Sequence, residues 1–180
     1  MLAAETEKIL ADAFQELLYD KDFERITVAD IVGRCSASRT TFYNHFKDKY
    51  DLMIWIYKRE LDAMLEAHGN FDQRQDLANV IFSFIYSKRN FFSKLIVYNK
   101  QNSLSDFMTH YGADYIARIA LDRLGIDKLP SDIEESIHFY TLGGTGVVTE
   151  WILGGFKKPP RQIAKLVYEN IPAPLVPILQ

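Results

Sequence analysis

Arg39 and Tyr43, Thr40 and Asn44, and Thr41 and His45 form three i, i+4 pairs, with Lys47 and Lys49 just beyond. Phe42 and Phe46 form a fourth, apolar pair in the same stretch. On a helix over 39–46, residues four apart share a face. Burying the two Phe rings therefore leaves the other three pairs exposed. Arg and Asn can bond bidentately to base edges in the major groove of DNA. Hydroxyls, His and Lys suit phosphate oxygens. The chemistry on offer is recognition of double-stranded DNA. The competing reading is a merely solvated polar helix face.

The elements around 39–46 must hold it in place. Thr27, with Asp30 three residues on, predicts a short-armed capping box opening a helix whose inner stripe is Val28, Ile31 and Cys35. Ser36-Ala37 breaks that helix, and Ser38 is placed to cap the next. Two short helices joined by Cys35-Ser36-Ala37-Ser38 have the spacing of a helix-turn-helix. Before them, Ile9, Ala13, Leu17 and Leu18, with Phe14 beside them, predict a helix over about 5–20. After them, Asp48 caps a long helix carrying Leu52, Trp55, Ile56, Leu61 and Met64, which runs to about Ala67. Cys35 on the inner stripe reads as a buried structural thiol, not a redox switch.

Charge supports this reading. The 180-residue chain has a net charge of −3. Residues 33–50 nevertheless hold Arg34, Arg39, Lys47 and Lys49 against Asp48, a net of +3. Residues 1–24 hold seven acids against Lys8 and Lys21, a net of −5. A basic patch sits inside an acidic chain, so the total does not exclude a polyanionic partner.

Residues 26–52 resemble the DNA-binding signature of the tetracycline-repressor (TetR) family. Thr41-Phe42-Tyr43-Asn44-His45-Phe46, then Lys49 and Leu52, is the most specific part. The resemblance implies an all-α fold: an N-terminal three-helix DNA-binding domain, 1–48, and a larger helical domain, 49–180, for ligand binding and dimerisation. It implies phosphate contacts by Thr27, Thr41, Tyr43, His45 and Lys49. Ser38, Arg39, Thr40 and Asn44 would lie nearest bases, with Tyr43 able to do both. Ser36 stands where the family usually has a turn glycine, so this turn must tolerate a side chain, with the left-handed region one conformation open to it. Thr40 replaces a frequently small residue, which bears on the base that is read.

Helices are expected over 72–88, 90–98, 103–124, 131–153 and 160–170, with Gly69-Asn70 as the first break and the three-proline tail 171–180 extended. Ser103 and Ser131 are expected N-caps, Gly125 and Gly154-Gly155 helix ends, and Pro130 and Pro159-Pro160 helix starts. Trp55, Phe82, Tyr86, Phe107, Tyr111, Tyr115 and Tyr140 mix apolar mass with hydroxyls and are candidates for an effector pocket, core packing being the alternative for each. The glycine-interrupted run 139–155 resembles the penultimate helix of TetR regulators, which pairs with the last helix across a dimer. Gly143, Gly144, Val147, Trp151, Ile163 and Val167 are the expected interface. The pattern is most similar to a low-GC Gram-positive group that includes dihydroxyacetone-kinase operon regulators.

Enzyme readings find no support. There is no phosphate loop, nucleophile elbow or dinucleotide fingerprint. His110 with Asp114, and Glu134 with His138, share helix faces but lack further ligands, so no metal and no cofactor are expected. One cysteine, no basic leader and no apolar run near 18 residues fit a cytoplasmic, non-membrane protein. The expectation is a homodimeric regulator, binding a palindromic operator and released by a small molecule. An activator, a regulator with a protein co-effector, and a helical protein-interaction module without DNA binding are the alternatives.

Overall fold

A computed structural model describes residues 3–68, 74–98 and 103–179. The Gly69-Asn70 break and the first two residues of the helix expected over 72–88 lie outside them. Among the described residues all regular structure is helical: α1 (Ala3–Asp20), α2 (Val28–Arg34), α3 (Arg39–Tyr43), α4 (Lys49–His68), α5 (Arg74–Ser87), α6 (Arg89–Leu95), α7 (Leu104–Leu124), α8 (Ser131–Leu153), α9 (Pro160–Glu169) and α10 (Val176–Leu179). 3₁₀ turns, Phe23–Arg25 and Ala173–Leu175, precede α2 and α10.

The chain divides into two compact units. One comprises residues 1–67 and 90–104, the other 68–89 and 105–180. The boundary expected at residue 48 falls inside the first unit, which takes in α4 and, later in the chain, α6. Its core is built by Leu10, Phe14, Leu17 and Leu18 of α1 against Ile31 and Val32 of α2 and Phe42 of α3. Phe46, Leu52, Met53 and Ile56, and Phe92, Leu95 and Ile96 from the α6 region, are buried in the same unit.

In the second unit α5 and α8 both pack on α9. Ala120, Leu129, Ile133 and Ile137 form a core with Leu175, Ile178 and Leu179. That corrects the extended tail expected for 171–180. Pro174 and Pro177 fall in the first residues of a 3₁₀ turn and of α10, where a missing N–H costs nothing. Leu175, Ile178 and Leu179 then share one face, and Arg123 donates to the Pro177 carbonyl at 3.3 Å.

Helix ends follow the expected chemistry with one exchange. Gly125 (φ 63°) and Gly155 (φ 75°) close α7 and α8 in the left-handed region. Pro130, not Ser131, is the N-cap of α8, and Ser131 donates instead to Glu135 at 3.2 Å. Ser103 is buried directly before α7.

Candidate nucleic-acid interface

The sequence Thr27-x-x-Asp30 sets the start of α2. Thr27 N–H donates to Asp30 Oδ2 at 2.9 Å, and Asp30 N–H donates to Thr27 Oγ1 at 3.2 Å. Lys21 Nζ reaches Asp30 Oδ1 at 2.7 Å. The Lys21 ammonium first, then the Thr27 N–H and hydroxyl, hold the Asp30 carboxyl well below the usual carboxylate range. At the other end Ser36 stands at φ 54°, and Ala37 N–H returns to the Val32 carbonyl at 3.0 Å. The turn uses the left-handed region without a glycine. Cys35 is half-buried, not fully buried as expected, because it is the C-cap of α2; its thiol donates to the Ile31 carbonyl at 3.4 Å.

Ser38 caps α3 by accepting the Thr41 N–H at 2.9 Å, with Ser38 Oγ and Thr41 Oγ1 2.8 Å apart. α3 ends at Tyr43, earlier than the expected 46. The turn still continues, with Phe46 N–H bonded to the Phe42 carbonyl at 2.9 Å. Asp48 then accepts the N–H groups of Tyr50 and Asp51 at 2.8 and 2.9 Å and opens α4. Phe42 and Phe46 are buried, as their spacing requires.

Arg39, Thr40 and Tyr43 of α3 and its C-cap residue Asn44 are exposed together. Among the described residues, the side chains of Arg39, Thr40 and Asn44 have no hydrogen bond or ion pair. Lys47 and Thr27 are also exposed. His45 is less open: its Nδ1 lies 3.5 Å from Glu7 Oε1. Arg34, which contributed to the local positive count, is paired to Asp20 at 3.3 Å and Glu16 at 3.7 Å. Arg25, exposed two residues before Thr27, was not singled out in the sequence and adds a cation there.

Lys49 requires a correction. Its ammonium donates to the carbonyls of Phe23 at 2.7 Å, Ile26 at 2.8 Å and Glu24 at 3.0 Å. It also lies 4.6 Å from the Phe23 ring centroid. All three donors of an ammonium are thereby used within the chain. Burial pushes its pKa down. Lys49 clamps the turn before α2 and is not an open phosphate ligand.

A model described as bacterial regulatory proteins, tetR family, matches residues 9–54, and a transcriptional regulator C-terminal region model matches 72–172. The chain belongs to the TetR family. It is similar, at 26% identity over 95 residues, to the dhaKLM operon transcriptional activator DhaS of Lactococcus lactis, covering 53% of this chain and 51% of that protein. It is 25% identical over 119 residues to the transposon Tn10 TetC protein of Escherichia coli, covering 65% and 58%. The chain spans about half the length of the curated relatives it matches first. The solved structure of a dihydroxyacetone kinase operon activator DhaS has a TM-score of 0.63 at 24% identity, covering 92% of this chain and 96% of that one. A TetR regulator from Rhodococcus sp. RHA1 has a TM-score of 0.62 at 16% identity, covering 94% and 99%. These likenesses establish the TetR fold.

The residues expected in an effector pocket fall in several places. Trp55 belongs to the first unit and packs on Phe46, ring centroids 5.7 Å apart. Phe82 and Tyr86 pack on Trp151 at 6.0 and 6.3 Å. Phe107 and Tyr111 pack together on α7 at 5.6 Å. Tyr115, further along α7, is half-buried, and desolvation raises its pKa. Tyr140 donates to the Val167 carbonyl at 3.1 Å, and burial pushes its pKa up to about 12.

The residues expected at a dimer surface differ in exposure. Trp151 and Ile163 are buried within the chain. Trp151 is held by Phe156 at 4.8 Å and donates its indole N–H to the Lys158 carbonyl at 2.8 Å. Gly144 faces Val167 of the same chain, and Val147 and Val167 are half-buried. Gly143 is exposed and open. Around it α8 exposes residues not singled out in the sequence: Phe139 (73%), Leu142 (50%) and Leu153 (58%). With Gly146, open as well, they form one stripe at helical spacing. Leu166 of α9 is also exposed.

Proposed function

We propose that this TetR-family regulator reads a palindromic operator as a homodimer, inserting α3 of each protomer into the major groove. The observation that carries it is the set Arg39, Thr40 and Asn44, exposed on a capped helix and lacking internal side-chain partners among the described residues. Arg39, Thr40, Asn44 and Tyr43 take the base edges, with Ser38 beside them. Thr27, Thr41, Tyr43, His45 and Lys47 take phosphates.

The stripe Phe139, Leu142, Gly143, Gly146 and Leu153 supports dimerisation. A run of large apolar side chains in water, with two glycines admitting a close neighbour, fits a second copy. Two-fold symmetry then presents two reading helices to half-sites about one DNA turn, ~34–36 Å, apart.

The effector is proposed to be a small molecule bound by the second unit, where Phe107, Tyr111 and Tyr115 line up on α7. It releases the protein from DNA and so relieves repression in the cytoplasm. Activation is the second reading, favoured by the activator role of the Lactococcus relative. Binding of the full chain to the DNA flanking its own gene tests the proposal, and transcription from that DNA with and without the protein decides its sign. Absence of binding sinks the first, and a rise in transcript selects the second reading.

A further inference from the structure

Residues 90–104 belong to the compact unit that holds the DNA-reading helices, although the chain on either side of them, 68–89 and 105–180, belongs to the other unit. What this segment touches is the turn that launches α2. Lys94 Nζ lies 3.6 Å from Asp22 Oδ1. The Tyr98 ring meets Phe23 edge-on, centroids 5.4 Å apart at 78°, and lies 5.0 Å from the Tyr50 ring. Phe23 is also met by Tyr50 at 5.3 Å and Phe14 at 6.1 Å. Phe23 is 2% exposed and Ile26 1%.

We propose that Tyr98 and Lys94 are positioning residues for DNA binding, acting through the Phe23–Arg25 turn. That turn is gripped from two sides. Lys49 of α4 holds its carbonyls, and the 94–98 segment holds its ring and the preceding Asp22. The grip is continuous with the start of α2, since Ile26 and the cap residue Thr27 follow at once, and α2 packs on α3. Moving Phe23 therefore moves the helix against which the reading helix is seated. Tyr98 reaches the turn directly, through its edge-on contact with Phe23. A hydrogen bond between the Tyr50 and Tyr98 hydroxyls, with burial, raises the Tyr50 pKa to about 12 and ties the same segment to the first turn of α4. Close-packed aromatic contacts of this kind transmit displacement because neither partner can yield without opening a gap.

The inference rests on DNA reading by α3, so the parent chain is tested first. A parent that binds no DNA overturns that reading before any variant is made. Given binding, Tyr98→Ala, Tyr98→Phe and Lys94→Ala are compared in the full chain by fluorescence anisotropy on the parent's operator, well below the unfolding temperature. Tyr98→Ala is expected to weaken binding about tenfold, within the usual range of coupling between sites. The slope of log affinity against log salt should stay unchanged, because no phosphate contact is removed. Tyr98→Phe, which keeps the ring and loses the hydroxyl, and Lys94→Ala, which removes one exposed ion pair, should each weaken binding about two- to threefold. A lowered melting temperature with unchanged affinity would make the cluster merely structural and overturn the proposal. A shallower salt slope for Tyr98→Ala would mean direct DNA contact and also overturn it. Should Tyr98→Ala fail to fold, Tyr98→Phe decides, and parental affinity then refutes the role.

Discussion

Replacing Lys49 by Met separates a clamp from a phosphate contact. Met keeps most of the apolar stem and removes the ammonium. The Phe23 and Ile26 carbonyls, in part-buried bonds, and the more exposed Glu24 carbonyl lose their donor. A hydrogen bond to a charged group contributes roughly 1.5–3 kcal/mol, and water replaces the exposed one at little cost. Two part-buried bonds at the low end come to about 3 kcal/mol. The ammonium no longer has to be desolvated, which offsets part of this, leaving a net loss of about 2 kcal/mol. For a chain of this size that corresponds to a fall in Tm of about 4–8 °C. Thermal unfolding by circular dichroism measures it, and anisotropy titrations over a salt series measure the DNA side. Operator affinity should fall while the log–log salt slope holds. An unchanged Tm, with the slope shallower by about 0.9 per protomer, would show that Lys49 neutralises a phosphate and that the clamp reasoning is wrong.

Four further outcomes are expected. Ser36→Gly should stabilise the fold by about 0.5–1 kcal/mol, seen as a higher urea midpoint, because Ser36 now holds φ 54° with a side chain; a lower midpoint would count against strain there. The depressed Asp30 pKa stabilises the folded state above the unfolded carboxylate pKa, and that contribution disappears as pH falls toward the folded value. Asp30→Asn should therefore lower Tm at pH 7 and flatten its decline below about pH 5, whereas parallel declines in the two proteins would contradict this. Arg39→Ala should cost about 1–3 kcal/mol on the preferred operator and little on random DNA, while Lys47→Ala should weaken both alike; identical behaviour would remove the division between base and phosphate roles. On the proposed dimer, Phe139→Glu combined with Leu142→Glu should leave a monomer in sedimentation equilibrium where the parent chain sediments as a dimer, and a persistent dimer would place the interface elsewhere.

What was legible in the sequence was local. The Thr27–Asp30 box, the Ser38 and Asp48 caps, the Phe42–Phe46 pair and α8 over 131–153 depend on residues a turn or two apart. The left-handed Ser36 followed from the family resemblance, in which a glycine usually holds that turn position. Lys49 was misread because its partners lie 23 to 26 positions earlier, and no periodicity encodes a side chain reaching back to backbone carbonyls. The Tyr98–Phe23 contact was hidden for the same reason. The tail was misread because prolines signal breaks, yet at the first positions of short helical turns they do not oppose one. Trp151 was placed at an interface because the run 139–155 resembles a dimer-forming helix, but Phe156 and the Lys158 carbonyl satisfy both its ring and its N–H inside the chain. The residues left over for a partner were Phe139, Leu142 and Leu153, whose exposure only the packing of α8 reveals.

The affinity of the full chain for DNA flanking its own gene, followed as salt is raised, tests the central claim most directly. Two symmetric patches, each neutralising several phosphates, predict saturable binding of a dimer with a steep negative log–log slope, about −0.9 per phosphate. A flat slope, or no binding beyond that of unrelated DNA, would contradict the account.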